Sequence, residues 1–205
     1  MTIMTVSQTF LDAVSARRTY YQLTNESTIP DSRIVELVNA AVLNTPSSFN
    51  SQSTRLVLLL KQEHEKLWES AKEILRGIVP ADVFASTEQR LNGFQKAYGT
   101  ILFFESPDPV KALQEKLPTY ADRFPIWSEH SSAMHQFFLW TALEAEGLGA
   151  NLQHYNPLID ERVCAEWNVP ADWSLKAQLV FGTPTGEPLE KTYQPLKDRV
   201  FVHGL

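Results

Sequence analysis

Pro46-Ser47-Ser48-Phe49-Asn50-Ser51-Gln52 is the stretch from which the rest of the chain can be read. It gathers hydroxyl and carboxamide groups in one short loop, between an apolar helical pattern and a β-rich run. Arg17-Arg18-Thr19 stands before it, and Lys197-Asp198-Arg199 lies near the C-terminus. Arginine and lysine neutralise a phosphate, while hydroxyls and carboxamides bond a polyol or the edge of a heterocycle. Both jobs belong to a nucleotide-like ligand.

Outward from that loop, helical and strand patterns alternate without repeats, low-complexity tracts or a dividing linker. A first helix carries Phe10 and Val14 and ends at the arginines. A second starts at Pro30-Asp31, places Ile34, Leu37, Val38 and Ala41 at helical spacing, and stops at Asn44, just before Pro46. Residues 55–61 read as a buried strand, 63–75 as a helix, and 77–92 as a polar, irregular helical excursion broken at Pro80. Residues 100–105 form a second buried strand, and Pro107-Asp108-Pro109 turns the chain into a short helix.

Residues 131–146 make the strongest helix. Met134, Phe137, Phe138, Leu139, Trp140, Ala142 and Leu143 leave it no polar face, so it must be buried centrally or against another subunit. Gly147 and Gly149 end it. A strand over 150–155, a helix over 157–167 and a strand over 175–181 follow, and the tail from Pro184 is extended and proline-rich, too long for an ordinary loop unless it wraps something. The sum is an α+β fold with a mixed or antiparallel sheet flanked by helices, in a single domain spanning 1–205.

Composition narrows the function classes. A net charge of −6 leaves no electrostatic footprint for nucleic acid, which makes the local arginine and lysine clusters more telling. The one cysteine, Cys164, excludes an internal disulfide and fits a reducing cytoplasm; its place between Val163 and Trp167 suits a small buried thiol. Residues 1–6 do not read as a signal peptide, and the run Leu56-Val57-Leu58-Leu59-Leu60 is far too short to span a bilayer. The histidines lack metal-ligand spacing, because His130 and His135 fall on different helix faces. Neither Ser47 nor Ser48 lies in a Gly-x-Ser-x-Gly elbow, and no Gly-x-Gly-x-x-Gly follows a strand, so hydrolase and Rossmann readings both drop out.

Across almost its whole length the chain resembles the nitroreductase family. The helix-end pattern Arg-Arg/His-Ser/Thr matches Arg17, Arg18 and Thr19, and Pro-Ser-Ser-x-Asn-x-Gln matches Pro46, Ser47, Ser48, Asn50 and Gln52. Gly147-Leu148-Gly149 then leads into a strand carrying Leu152, Gln153, His154 and Tyr155, and a terminal Lys-x-Arg matches Lys197 and Arg199. The spacing is similar to a small fungal and bacterial branch.

The resemblance implies FMN as cofactor, bound at the interface of an intertwined homodimer with an extended C-terminal tail. Arg17, Arg18, Thr19, Lys197 and Arg199 would then come from one subunit and Pro46 to Asn50 from its mate, with the 131–146 helix at the dimer centre. It further implies ping-pong transfer from NAD(P)H to a nitroaromatic, quinone or similar acceptor. Phe49, Phe124, Trp127 and Tyr155 are candidates for the acceptor slot. Flavin carries the chemistry, so no catalytic acid or base is required.

One position departs from the pattern. Many relatives place a cation two residues after the helix-end Ser/Thr, near flavin N1 and O2, where this chain has Tyr21. Without it the flavin should be harder to reduce, unless another group compensates. Asn92 is a weak match to the family's contacts ahead of the second core strand. The alternative to an efficient enzyme is therefore a slow-turnover flavin-binding stress or regulatory protein, and a purely structural dimer is the third reading.

Overall fold

The structure is a computed structural model that describes residues 6–205. The signal-peptide expectation rests on residues outside that span. In chain order the elements are α1 (Val6–Ala16), β1 (Leu23–Thr24), α2 (Asp31–Asn44), β2 (Thr54–Leu60), α3 (Gln62–Arg76), α4 (Ala81–Gln95), β3 (Gly99–Glu105), α5 (Pro107–Lys116), α6 (Phe124–Ala145), β4 (Gly149–Gln153), α7 (Asp160–Glu166) and β5 (Ser174–Pro184). Short 3₁₀ turns occupy Ser48–Asn50, Pro118–Tyr120 and Leu196–Asp198.

All ladders of the five-stranded sheet are antiparallel. β3 lies between β2 and β5, while β4 and β1 add to β5. The one parallel pairing is an isolated bridge from Thr19 to Ala150. Helices cover both faces, which is why β2 and β3 read as near-continuous apolar runs rather than alternating ones. Side chains still alternate between layers with the strand period. Leu102, Phe104, Leu175 and Val180 pack with Leu67, Trp68, Leu91 and Phe94 of α3 and α4, whereas Ile101, Phe103, Leu179 and Phe181 pack with Ile34, Leu37, Leu139 and Leu143 of α2 and α6. Each such side chain, fully buried, contributes roughly 1.5–3 kcal/mol.

Three expectations need correction. The helical stretch expected over 77–92 is a continuous α4 that starts after the Pro80 break at Ala81 and runs on to Gln95. Its narrow buried stripe of Leu91 and Phe94 gives little periodic signal, and packing on α3 overrides it. α6 begins at Phe124, seven residues ahead of the expected Ser131, with Pro125 in its first turn. Within one chain, Met134 and Phe137 of α6 remain 40% and 42% exposed. Cys164 is only half-buried, and burial pushes its thiol pKa up.

A polar junction ties α3, α4 and β3 together. His64 is fully buried, its Nδ1 2.8 Å from Thr100 Oγ1 and its Nε2 3.0 Å from the Phe94 carbonyl, and the Trp68 indole N–H donates to the same Thr100 hydroxyl at 3.0 Å. Desolvation lowers the His64 pKa to about 4 from 6.5. The unfolded chain therefore takes up this proton first as pH falls. The contribution is fully present above pH 6.5 and is lost progressively toward pH 4, on the order of 3 kcal/mol in all. Urea unfolding of the chain should show this decline, and His64→Gln should flatten it; equal pH slopes in the two proteins would refute the assignment.

Candidate active site

The helix-end arginines do different work. Arg17 lies with its guanidinium carbon 4.4 Å from the Trp140 ring centroid, and its Nη1 is buried without a hydrogen-bond partner. Leaving such a donor unmet costs about 1–3 kcal/mol, so the position calls for an acceptor that the described residues do not supply. Arg18 instead donates from Nη2 to the Leu189 carbonyl and fastens the start of the tail. Glu144 holds this corner by accepting the Arg18 backbone N–H at 2.7 Å and the Trp140 indole N–H at 2.9 Å. Burial lifts its pKa to about 7 against the pull of those donors and both arginines.

From the arginines the chain runs beside β4. Thr19 bridges Ala150, the Tyr20 N–H donates to the Ala150 carbonyl at 3.0 Å, and the Asn151 amide donates to the Tyr20 carbonyl at 2.8 Å. Gly149 permits this closeness, since a Cβ there would sit 2.9 Å from the Tyr20 side chain. Residues 17–21 and 149–155 thus form one surface. Leu152 and Gln153 belong to β4, with Gln153 bonded to Asn151 at 2.8 Å, while His154 is exposed and Tyr155 follows the strand. Tyr21, Gln153, Phe94 and α4 enclose a cavity of about 520 Å³. That size suits a cofactor-sized ligand.

The Pro46 loop is strained. Phe49, Asn50 and Gln52 adopt φ of 52°, 54° and 49°, a left-handed conformation that is rare for non-glycine residues and an outlier for a bulky one. Ser47 stabilises it by accepting the Gln52 N–H at 2.9 Å, and Arg55 caps it through the Gln52 carbonyl at 2.6 Å. Pro46 and Asn50 are exposed and Ser48 is half-buried. Phe49 packs on the first turn of α6, with ring centroids 5.6 Å from Phe124 and 6.1 Å from Trp127.

Of the four aromatic slot candidates, those three therefore meet. Tyr155 does not join them, because its ring packs against Trp68 and Phe94 at 5.5 and 6.2 Å. Within one chain the Pro46 loop runs along α6, with Pro46 lining a groove beside Ala13, Thr141 and Ala142 and Phe49 at the far end. Phe49 anchors at Trp127 and Arg17 at Trp140, thirteen residues along α6, or about 20 Å at the α-helical rise. Lys197 and Arg199 lie on the exposed tail, in and just after its last turn.

Trp140 and Glu144 were missed as site residues. Their signal was available in their spacing of four on one helix face, one turn before Gly147.

An antiparallel sheet buried between helices, with a ligand-sized cavity where Tyr21 and Gln153 meet α4, defines an α+β class. Comparison with known proteins gives the family. Residues 14–183 match the nitroreductase family model, so the chain belongs to the nitroreductase family and is an oxidoreductase. It is 37% identical to HBN1 of Saccharomyces cerevisiae over 194 residues, 93% of this chain and 95% of that one. It is also 35% identical to the nitroreductase FRM2 of the same yeast over 195 residues, with the same coverage. Its fold matches the nitroreductase CinD from Lactococcus lactis in complex with chloramphenicol with a TM-score of 0.87 at 43% identity, covering 95% of this chain and 100% of that one.

Proposed function

We propose that this chain is an FMN-dependent oxidoreductase that passes electrons from NAD(P)H to nitroaromatics, quinones or related acceptors, working as a cytoplasmic homodimer of single-domain subunits. The observation that carries the reading is the buried Nη1 of Arg17, without a hydrogen-bond partner among the described residues, four residues before Tyr21, which lines a cavity of cofactor size. A phosphate oxygen satisfies that donor with a charge-assisted bond. Nothing in the sequence offers an adenosine pocket, which favours FMN over FAD. Bound FMN supplies a hydride relay, so donor and acceptor take turns at one flavin face in ping-pong order.

The protein's share is binding and orientation. Arg17 takes the phosphate, with Lys197 and Arg199 added from the tail. Glu144, its pKa raised to about 7 by burial, keeps the Arg18 backbone in place by accepting its N–H. Thr19, Leu152, Gln153 and His154 flank the ring and its polyol, and Tyr155 backs the cavity. Ser47, Ser48, Asn50 and Gln52 reach the cofactor of the other subunit. CinD has been solved with chloramphenicol and with 4-nitrophenol, which supports a nitroaromatic acceptor here.

The homodimer draws support from uncovered apolar surface. Phe10, Met134, Phe137 and Pro46 line a groove of about 380 Å³, and Tyr193, Leu196 and Phe201 on the tail are each at least 73% exposed. Among the described residues no helix is long and apolar enough to cross a membrane.

Purified protein should carry about one releasable FMN per subunit, and NADH or NADPH should bleach it without oxygen. Nitroaromatics or quinones should restore the colour. Protein that holds FMN but is bleached by neither nicotinamide would favour the slow-turnover alternative; protein unable to take up FMN would end the flavin reading.

A further inference from the structure

Arg17 is placed by stacking. Its guanidinium carbon lies 4.4 Å from the Trp140 ring centroid, and its Nη1 has no hydrogen-bond partner among the described residues. The ring is itself fixed at its edge, for the indole N–H lies 2.9 Å from Glu144 Oε1 and 3.3 Å from the Arg18 carbonyl. Glu144 in turn accepts the Arg18 backbone N–H at 2.7 Å, so the residue after Arg17 is tied to α6 through the same pair. A guanidinium donates in its own plane, and a ring beneath its face leaves the N–H edge free for an oxyanion. An ion pair with a carboxylate would use that edge up. Stacking also removes beforehand some of the rotamer freedom that an arginine surrenders when it binds a ligand.

We propose that Trp140 is a positioning residue that makes the site selective for a phosphorylated flavin, its face holding Arg17 ready for the phosphate while Glu144 and the Arg18 carbonyl hold its edge. This rests on the FMN reading above. Riboflavin carries the same ring and polyol as FMN but no phosphate. The preference for FMN over riboflavin therefore reports on the groups that hold the phosphate, whereas a general loosening of the fold weakens both ligands alike.

The test titrates full-length, flavin-free protein with FMN and with riboflavin. Trp140→Leu should weaken FMN about five- to tenfold, part of what a charge-assisted bond is worth, and riboflavin by less than about twofold. Trp140→Phe, which keeps a ring face under Arg17, should retain most of the preference. Adding Trp140→Leu to Arg17→Ala should remove no further preference, as for two residues that act through one contact. Equal weakening of FMN and riboflavin in Trp140→Leu would reveal a merely structural role and overturn the inference, and so would a further loss of preference in the double variant. Should Trp140→Leu fail to fold, tetrafluorotryptophan incorporated at position 140 keeps the shape and the N–H while draining the negative ring face. A reduced preference for FMN then supports the inference, and an unchanged one overturns it. Wild-type protein that binds both flavins equally would overturn the inference and leave a flavin site standing; wild-type protein that binds neither would overturn the FMN reading as well.

Discussion

Arg17→Ala is expected to weaken FMN retention roughly ten- to hundredfold while leaving the fold in place, because a charge-assisted phosphate bond is worth about 1.5–3 kcal/mol. The folded chain loses the stacking of Arg17 on Trp140, about 0.5–2 kcal/mol, but no hydrogen bond from Nη1 among the described residues. Arg76→Ala is the matched control. Arg76 ends α3 as an exposed cation paired with Glu88 at 2.8 Å, an arrangement worth at most about 1 kcal/mol. Equal flavin loss in the two variants, measured by fluorescence titration, would undo the phosphate assignment. The same substitution examines the shared site when an Arg17→Ala subunit is paired with an Asn50→Ala subunit. Both defects then fall in one site, and the heterodimer should keep about half its flavin, as expected for independent sites. Two equally weakened sites would show instead that both residues serve the flavin of their own subunit.

Trp68→Ala should cost the fold about 3–5 kcal/mol, the range for removing a large aromatic from a core. The side chain is fully buried, packs 4.9 Å from Phe94 and 5.5 Å from Tyr155, and donates its N–H to Thr100. Because Phe94 lines the cavity and Tyr155 backs it, the loss should also loosen flavin. Trp68→Phe, which keeps the ring contacts but leaves the Thr100 and His64 hydroxyl network short of a donor, should fall between the two. Chemical denaturation with FMN titration on the same samples checks both effects; a Trp68→Ala protein as stable as wild type would refute this account of the junction.

Much of the fold was legible because its strands are apolar on both faces and its helix ends are punctuated. β3 is buried throughout, and the Asn44 stop before Pro46 is where α2 ends. α4 was hidden because two deeply buried residues in fifteen leave a weak period, and the start of α6 because Pro125 looks like a break although it belongs to the first turn. The Arg17 and Pro46 clusters were visible as chemistry. That Phe49 would pack at the opposite end of α6 from Arg17 was not, because sequence order says nothing about which end of a helix a side chain packs against.

The bond from Arg18 to the Leu189 carbonyl gives the tail a fixed root. Eight residues separate Leu189 from Lys197, a reach of at most about 27 Å for extended chain. Two basic side chains are thereby confined to a small sphere around a known point, which for a short flexible leash corresponds to an effective concentration in the millimolar range. Individually weak contacts from Lys197 and Arg199 can then be largely occupied without being strong. Their strength is set as much by the length of the leash as by the charges at its end.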